Sequence, residues 1–290
     1  MNSQFIGSCQ DNYSLPMDLV SGWLGVWSLS RLSSKYTGVA CNVRRSSDNA
    51  TTDVFYDQSG KISGSSIISA GGSLSTWTST STLFITSMTD LSGNGRNFTT
   101  AVTANQPTLV LNSLNSQAVA RFSGAQQLIL TSALNVQWNT LFCLQNIPSS
   151  ANRGVIFGNF TSIAANNASN YEKEATNVSR IFLVSSDLLV GSNTSLFGAP
   201  NVFSFIRNTA TPQSVCFVGN VQDTTTTFVA TNVTNTTPHG MGADMRTASP
   251  STSVPLTGDI TTLMVYQAPL TFEQTSQVSR SLGHIGGLNI

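Results

Sequence analysis

Charge is what this chain has least of. Only 9% of its 290 residues are charged, 13 basic against 13 acidic, and the formal net charge is zero. Phosphate backbones are held by clustered Lys and Arg. The one basic pair of note, Arg44-Arg45, suits a strand end rather than a patch, so no nucleic-acid partner is expected. Histidine is rarer still. His239 falls in a Gly/Pro-rich stretch and reads as an exposed loop residue, while His284 falls at a helix end, where a cation suits the dipole. Neither completes a Ser-His-Asp triad. The four cysteines, Cys9, Cys41, Cys143 and Cys216, lie far apart with no Cys-x-x-Cys spacing. Zinc is therefore not expected, and buried, reduced thiols are. No metal or cofactor is expected, since no phosphate loop or His-Glu-x-x-His motif occurs. No apolar run approaches the roughly 20 residues of a membrane helix. The opening MNSQFIGSCQDNYS has no basic-then-apolar leader pattern.

What remains is a surface made polar by Ser, Thr, Asn and Gln. A chain of this length can hide roughly three quarters of its unfolded surface in one domain. The clearest order lies in residues 90–130. Ser92-Gly93-Asn94-Gly95 offers residues that accept positive φ in tight turns. Pro107 forces Gln106 to be extended. Leu109 and Leu111 alternate with Thr108, Val110 and Asn112, with Val110 blurring the pattern, and Leu114-Asn115-Ser116 is a second turn. Ala118, Ala120 and Phe122 then fall on one face, with Val119 and Arg121 on the other, at the period of a strand. Gly124 breaks the chain before Leu128-Ile129-Leu130.

Elsewhere the pattern is short strands between turns: residues 39–45, 52–56, 141–144, 155–157, 180–184, 202–207, 215–218, 226–230 and 260–266. Residues 1–20 read as a polar arm and 21–290 as a single domain. Trp23, Val26, Trp27, Leu29 and Leu32, spaced by three and four, predict a short helix over residues 25–32. Residues 59–89 are rich in Ser, Thr and Gly and read as irregular chain with one or two strands. Residues 164–176 and 238–255 read as loops. One long helix is clear. Thr271 and Gln274 fit a capping box, Val278, Leu282 and Ile285 recur at helical spacing, and Gly286-Gly287 ends it. Many short strands with turn signals argue for an all-β fold. The expected fold is a two-sheet antiparallel jelly-roll sandwich with a short N-terminal helix and a C-terminal helix.

Three segments carry a resemblance: Asp90 to Gly95, Ala104-Asn105-Gln106-Pro107-Thr108-Leu109, and Leu114 to Gly124 with its Arg121-Phe122. Their order is similar to the concanavalin A-like lectin/glucanase fold, in its laminin-G-like branch. Gly258-Asp259-Ile260 and the helix after Thr271 resemble that branch's last strand and helix. Trp27-Ser28-Leu29-Ser30-Arg31-Leu32 and Val43-Arg44-Arg45-Ser46-Ser47-Asp48 resemble a subgroup found in bacteriophage tail and virion proteins. They are also distantly similar to the arabinofuranosidase B catalytic domain. Gln126 and Gln127 stand where the family often has acids, so the resemblance implies no metal there.

The virion resemblance implies a non-enzymatic structural protein: a capsid decoration, a fibre or a tail receptor-binding component. Its partners would be other virion proteins and its own copies, with a trimer expected, and a host cell-surface glycan. No membrane insertion is expected, and its location would be the virion. The alternative is a glycoside hydrolase of arabinofuranosidase type. In those relatives the nucleophile is a Glu shortly after a Gly-Asn pair. Here Gly158-Asn159 runs into Phe160 and Thr161 with no carboxylate. The remaining candidates for that chemistry, Asp187, Asp223 and Asp259, are placed by no motif. Glu172 and Glu174 read as loop acids. Of the four tryptophans, Trp77 stands among small polar residues and is the candidate to stack on a sugar.

Overall fold

The computed structural model describes residues 13–160, 168–183, 186–192, 196–208, 210–227, 237–246, 249–251 and 254–290. The chain opens with α1 (Pro16–Leu19), β1 (Trp23–Ser28), β2 (Val39–Arg45), β3 (Thr51–Phe55), α2 (Leu74–Thr78) and β4 (Leu83–Met88). It continues through β5 (Phe98–Thr99), β6 (Thr108–Leu114), β7 (Gln117–Ser123), β8 (Leu128–Leu130), β9 (Thr140–Asn146) and β10 (Gly154–Phe160). Next come β11 (Ala168–Lys173), β12 (Ser179–Leu183), β13 (Ser186–Val190), β14 (Asn201–Asn208), β15 (Gln213–Val218) and β16 (Val221–Thr227). The last elements are β17 (Gly240–Met241), β18 (Asp244–Arg246), β19 (Ser249–Ser251), β20 (Thr257–Tyr266) and α3 (Phe272–Ile285).

The result is an all-β antiparallel sandwich. One layer runs β16–β15–β14–β9–β20, and the far edge of β20 is shared by β1 and β7. The other runs β3–β2–β4 and then β5–β8–β17–β10–β11–β12–β13. The β6–β7 hairpin links them, because β6 also pairs with β4. Alternation along the strands splits the apolar residues into two clusters. Trp27, Phe98, Trp138, Phe157 and Phe205 fill the space between the layers. Val26, Phe142, Leu144 and Met264 face the other way and are covered by Val278 and Leu282 of α3. The capping box at Thr271 and Gln274 forms as expected. Residues 13–20 lie against the same helix: Ser281 Oγ donates to the Ser14 carbonyl, and the Met17 N–H donates to the Leu32 carbonyl.

The 90–130 segment follows its sequence pattern closely. Ala118, Ala120 and Phe122 enter the inter-layer core, Val119 enters the second cluster, and Arg121 is exposed. Asn115 and Ser116 both take positive φ in the β6–β7 turn. The turn at residues 90–97 is organised by Asp90, which is buried. Its Oδ1 accepts from the Val26 N–H and from Ser92 N–H and Oγ, and its Oδ2 accepts from the Arg96 N–H. The Arg96 carbonyl in turn accepts from Trp27 Nε1 at 2.7 Å. One carboxylate therefore ties the turn to β1 and, through Trp27, to the core.

Three local expectations are corrected. Residues 25–32 are not helical: β1 occupies Trp23–Ser28, and the short N-terminal helix lies earlier, at α1. Every residue of β1 is buried, and a bulge between Trp23 and Gly25 shifts its register, so apolar side chains recur at three- and four-residue spacing without a helix. Residues 168–173 are strand β11 rather than loop, and Glu172 in it is buried. Within residues 59–89, helix α2 forms, capped by Ser73. Cys41, Cys143 and Cys216 are unpaired and buried as expected, and Cys9 lies outside the described residues. Burial pushes the thiols of Cys41 and Cys216 up to about 12.

Replacing Asp90 with Ala leaves four donors without their acceptor, one of them the N–H of buried Val26. The expected loss is about 2–4 kcal/mol in urea unfolding. A loss below about 1 kcal/mol would show that water replaces the carboxylate.

Candidate functional site

The Ser-rich segment after β3 has little apolar side-chain mass, so its shape comes from hydrogen bonds. Asp57 organises it. Its Oδ1 accepts from Ser59 N–H, Ser59 Oγ and the Lys61 N–H, and its Oδ2 accepts from Ser63 Oγ at 2.6 Å. Burial alone would raise this carboxyl; together the bonds from Ser59, Ser63 and Lys61 outweigh burial and hold it below 3.8. Beside this turn is a hollow of about 660 Å³ walled by Tyr56, Gln58, Ser65 and Ile67. Ile67 is 64% exposed at its rim.

Helix α2 is bonded onto the same segment. The Leu74 N–H donates to the Ser66 carbonyl and the Ser75 N–H to the Gly64 carbonyl. This helix carries Trp77, which is half-buried against the core. The Arg45 guanidinium stacks 4.6 Å from the ring centre and donates to the Trp77 carbonyl. Asp48 pairs with Arg45 at 2.6 Å, and that hydrogen bond lowers its carboxyl to about 2. Trp77 thus presents an indole under the Arg45 guanidinium, which Asp48 holds in turn, on a helix bonded to the segment that walls the hollow. Sequence reasoning named Trp77, and Asp57 as an acid that stabilises its own turn, which it does. It missed the hollow beside that turn.

The other acids do not converge. Asp259, in β20, takes a two-bond clamp from Arg121, both contacts at 2.8 Å, and lies directly across from it in the β7–β20 register. Asp223, in β16, accepts from Ser192 N–H and Oγ. Four inter-strand steps separate β16 from β20, about 19 Å at 4.8 Å each. Glycosidic cleavage requires carboxylates about 5–10 Å apart. Asp187 lies in β13, and its side chain is outside the described residues. Glu172 is bound by Arg153 Nη2 at 2.5 Å and Glu174 by Arg180 Nη1 at 2.7 Å. Asn159, after Gly158, is buried and donates to the Thr237 carbonyl; Thr161 lies outside the described residues. Among the described residues no three His, Cys, Asp or Glu side chains gather as a metal site.

The histidines divide. His284 lies exposed in the last turn of α3, as expected, and stacks on Tyr13 at 4.6 Å. His239 is not an exposed loop residue: it is fully buried, stacked on Phe157, with Nε2 2.7 Å from Ser169 Oγ. Burial brings its imidazole down to about 3, so it stays neutral and is a poor base.

A GH54 α-L-arabinofuranosidase soaked with a cyclic sulfate inhibitor has a similar structure, with a TM-score of 0.65 at 13% identity over 92% of this chain and 64% of the other. An arabinofuranosidase complexed with arabinofuranosyl-α-1,2-xylobiose gives 0.62 at 12% identity over the same shares. This chain spans less than two thirds of their length, and what it shares with them is the β-sandwich fold. No protein-family model matches the chain. No curated protein matches it.

Two outcomes are expected from titration. Asp57, with its carboxyl lowered, stabilises its loop fully above the unfolded value of about 3.9 and loses that contribution as pH falls through the folded value. Asp57→Asn should therefore abolish the acid step in amide-exchange protection of residues 59–66. His239 has the opposite chemistry but the same sign. The unfolded chain takes up a proton below about 6.5 while the folded chain does not, so stability falls as pH drops from 6.5 toward 3 by up to about 1.4 kcal/mol per unit. His239→Gln should flatten the dependence of Tm on pH over that range, and an unchanged slope would show that other groups set it.

Proposed function

We propose that this chain is a non-enzymatic bacteriophage virion protein, a capsid decoration, fibre or tail receptor-binding component, that displays its sandwich outward and binds host-surface glycan. The observation that carries this reading is the engagement of the acids. Asp223, Asp259, Glu172 and Glu174 are each held by the chain's own donors, and Asp223 and Asp259 stand too far apart to share a glycosidic bond. The virion setting rests on the resemblance of residues 27–32 and 43–48 to such proteins. Residues 1–20 would anchor the domain to the particle or to sister copies in a trimer, a closed symmetric arrangement. Trp77 and the hydroxyl-lined hollow beside α2 would meet the sugar, the indole against its C–H face.

The test pairs a glycan array with a chromogenic α-L-arabinofuranoside. Glycan capture without turnover is expected, and Trp77→Ala should weaken capture about tenfold, the scale of one aromatic contact. Turnover that Asp223→Asn or Asp259→Asn removes would overturn the reading in favour of a glycosidase. Deleting residues 2–18 should reduce incorporation into particles.

A further inference from the structure

A second pocket lies across Ser59 from the first hollow, and its chemistry is different. It holds about 360 Å³ between Tyr13, the end of α3 and the turn at residues 59–61. That is the size of the smaller ligand pockets and suits a single sugar unit. Arg31, Lys61 and His284 line it, and among the described residues no carboxylate does.

The backbone places these groups. An antiparallel bridge joins Ser30 and Lys61, and the Arg31 N–H donates to the Gly60 carbonyl, so Arg31 and Lys61 lie side by side. The Arg31 side chain runs over Gly60, which has φ +79°; a Cβ there would sit 3.3 Å from Arg31 Cβ and Nε. Glycine is thus required twice, for the turn and for the guanidinium. The floor is fixed by Gln117, which accepts from Ser30 Oγ and donates to the Ile285 carbonyl. Tyr13, stacked on His284, forms an aromatic wall.

The cations are unanswered. Arg31 Nε is buried with no hydrogen-bond partner, and neither Arg31 nor Lys61 forms an ion pair among the described residues. In contrast, Arg44, Arg45, Arg96, Arg121, Arg153 and Arg180 all bind acceptors. Asp57, the acid of the adjoining turn, faces its own Ser59, Lys61 N–H and Ser63 donors. In a chain with so few charges, a buried guanidinium nitrogen beside a free ammonium calls for an anion.

We propose that this pocket binds an acidic monosaccharide unit, its carboxylate or phosphate held by Arg31 and Lys61 and its ring set against Tyr13. This rests on the glycan-binding part of the proposed function and names the class of sugar. It does not depend on Trp77.

Calorimetry on the full chain tests it with D-glucuronate, D-glucose 6-phosphate and neutral D-glucose. Saturable binding of at least one acid is expected, with glucose at least about tenfold weaker, and weaker binding as NaCl rises from about 50 to 500 mM. Preference for glucuronate or for the phosphate identifies the acid and supports the site in either case. Lys61→Gln and Arg31→Gln should each weaken binding about tenfold, and Lys35→Gln should not. Lys61 is only half-buried, so its variant serves if Arg31→Gln fails to fold. The proposal is overturned by equal affinity for glucose, by inorganic phosphate binding as tightly as the sugar acids, or by no saturation up to about 10 mM. It is also overturned if the acid binds only after residues 1–12 are removed, since the arm would then be the occupant. Array binding without saturable binding of either acid in calorimetry would end this inference and leave the display reading standing, whereas Lys61-dependent acid binding with a blank array would do the reverse.

Discussion

The structure depends on β20 being buried on both faces and paired on both edges. Its ten residues meet β9 along one edge and β1 and β7 along the other. Ile260, Leu263 and Val265 point into the inter-layer core, while Met264 points under α3. A strand with no free edge cannot slip without turning its whole side-chain set to the wrong face. That constraint fixes the position of β7, hence of the β6–β7 hairpin and the crossing to the second layer. It also fixes β1, whose Ser28 Oγ lies 2.7 Å from Thr262 Oγ1. From β1 the chain reaches Ser30 and Arg31, so one face of the basic pocket is an extension of a strand paired directly to β20.

The surface turns obey a different rule. Asp90 and Asp57 sit in segments with few large side chains, and each carboxylate gathers donors from its own turn. A low-charge chain that uses acids to shape loops has few left for chemistry. Asp259 and Glu172 follow the same economy in the strands, each fixed by an arginine from a neighbouring segment. In each pair the acid is buried and the arginine reaches solvent, so the arginine satisfies an acid that would otherwise lie buried and uncompensated.

What could be read from the sequence divides along that line. Turns and one-sided strands were legible, because positive-φ residues and alternation are local: the segment 90–130, the strand β2 and the Thr271 cap all follow the chain's own pattern. β1 was not, because burial on both faces erases alternation and its bulge imitates a helical period. β11 was hidden by its polarity, since Asn170, Glu172 and Lys173 are buried only by partners far away in sequence. His239 was misplaced for the same reason: Phe157 and Ser169, which enclose it, lie 82 and 70 residues upstream. Of the candidate site, Trp77 could be named from its neighbours in sequence. Nothing local joins Arg31, Lys61 and His284, which meet only through the bridge at Ser30 and the return of α3.

The buried cysteines have a consequence for where the molecule can work. With thiols raised to about 12, Cys41 and Cys216 stay protonated at neutral pH, and both are buried away from solvent oxidants. Among the described residues nothing in the fold needs a disulfide to form or a thiol to be kept reduced. The described domain can therefore pass from a reducing cell interior to an oxidising exterior without a change in its covalent structure.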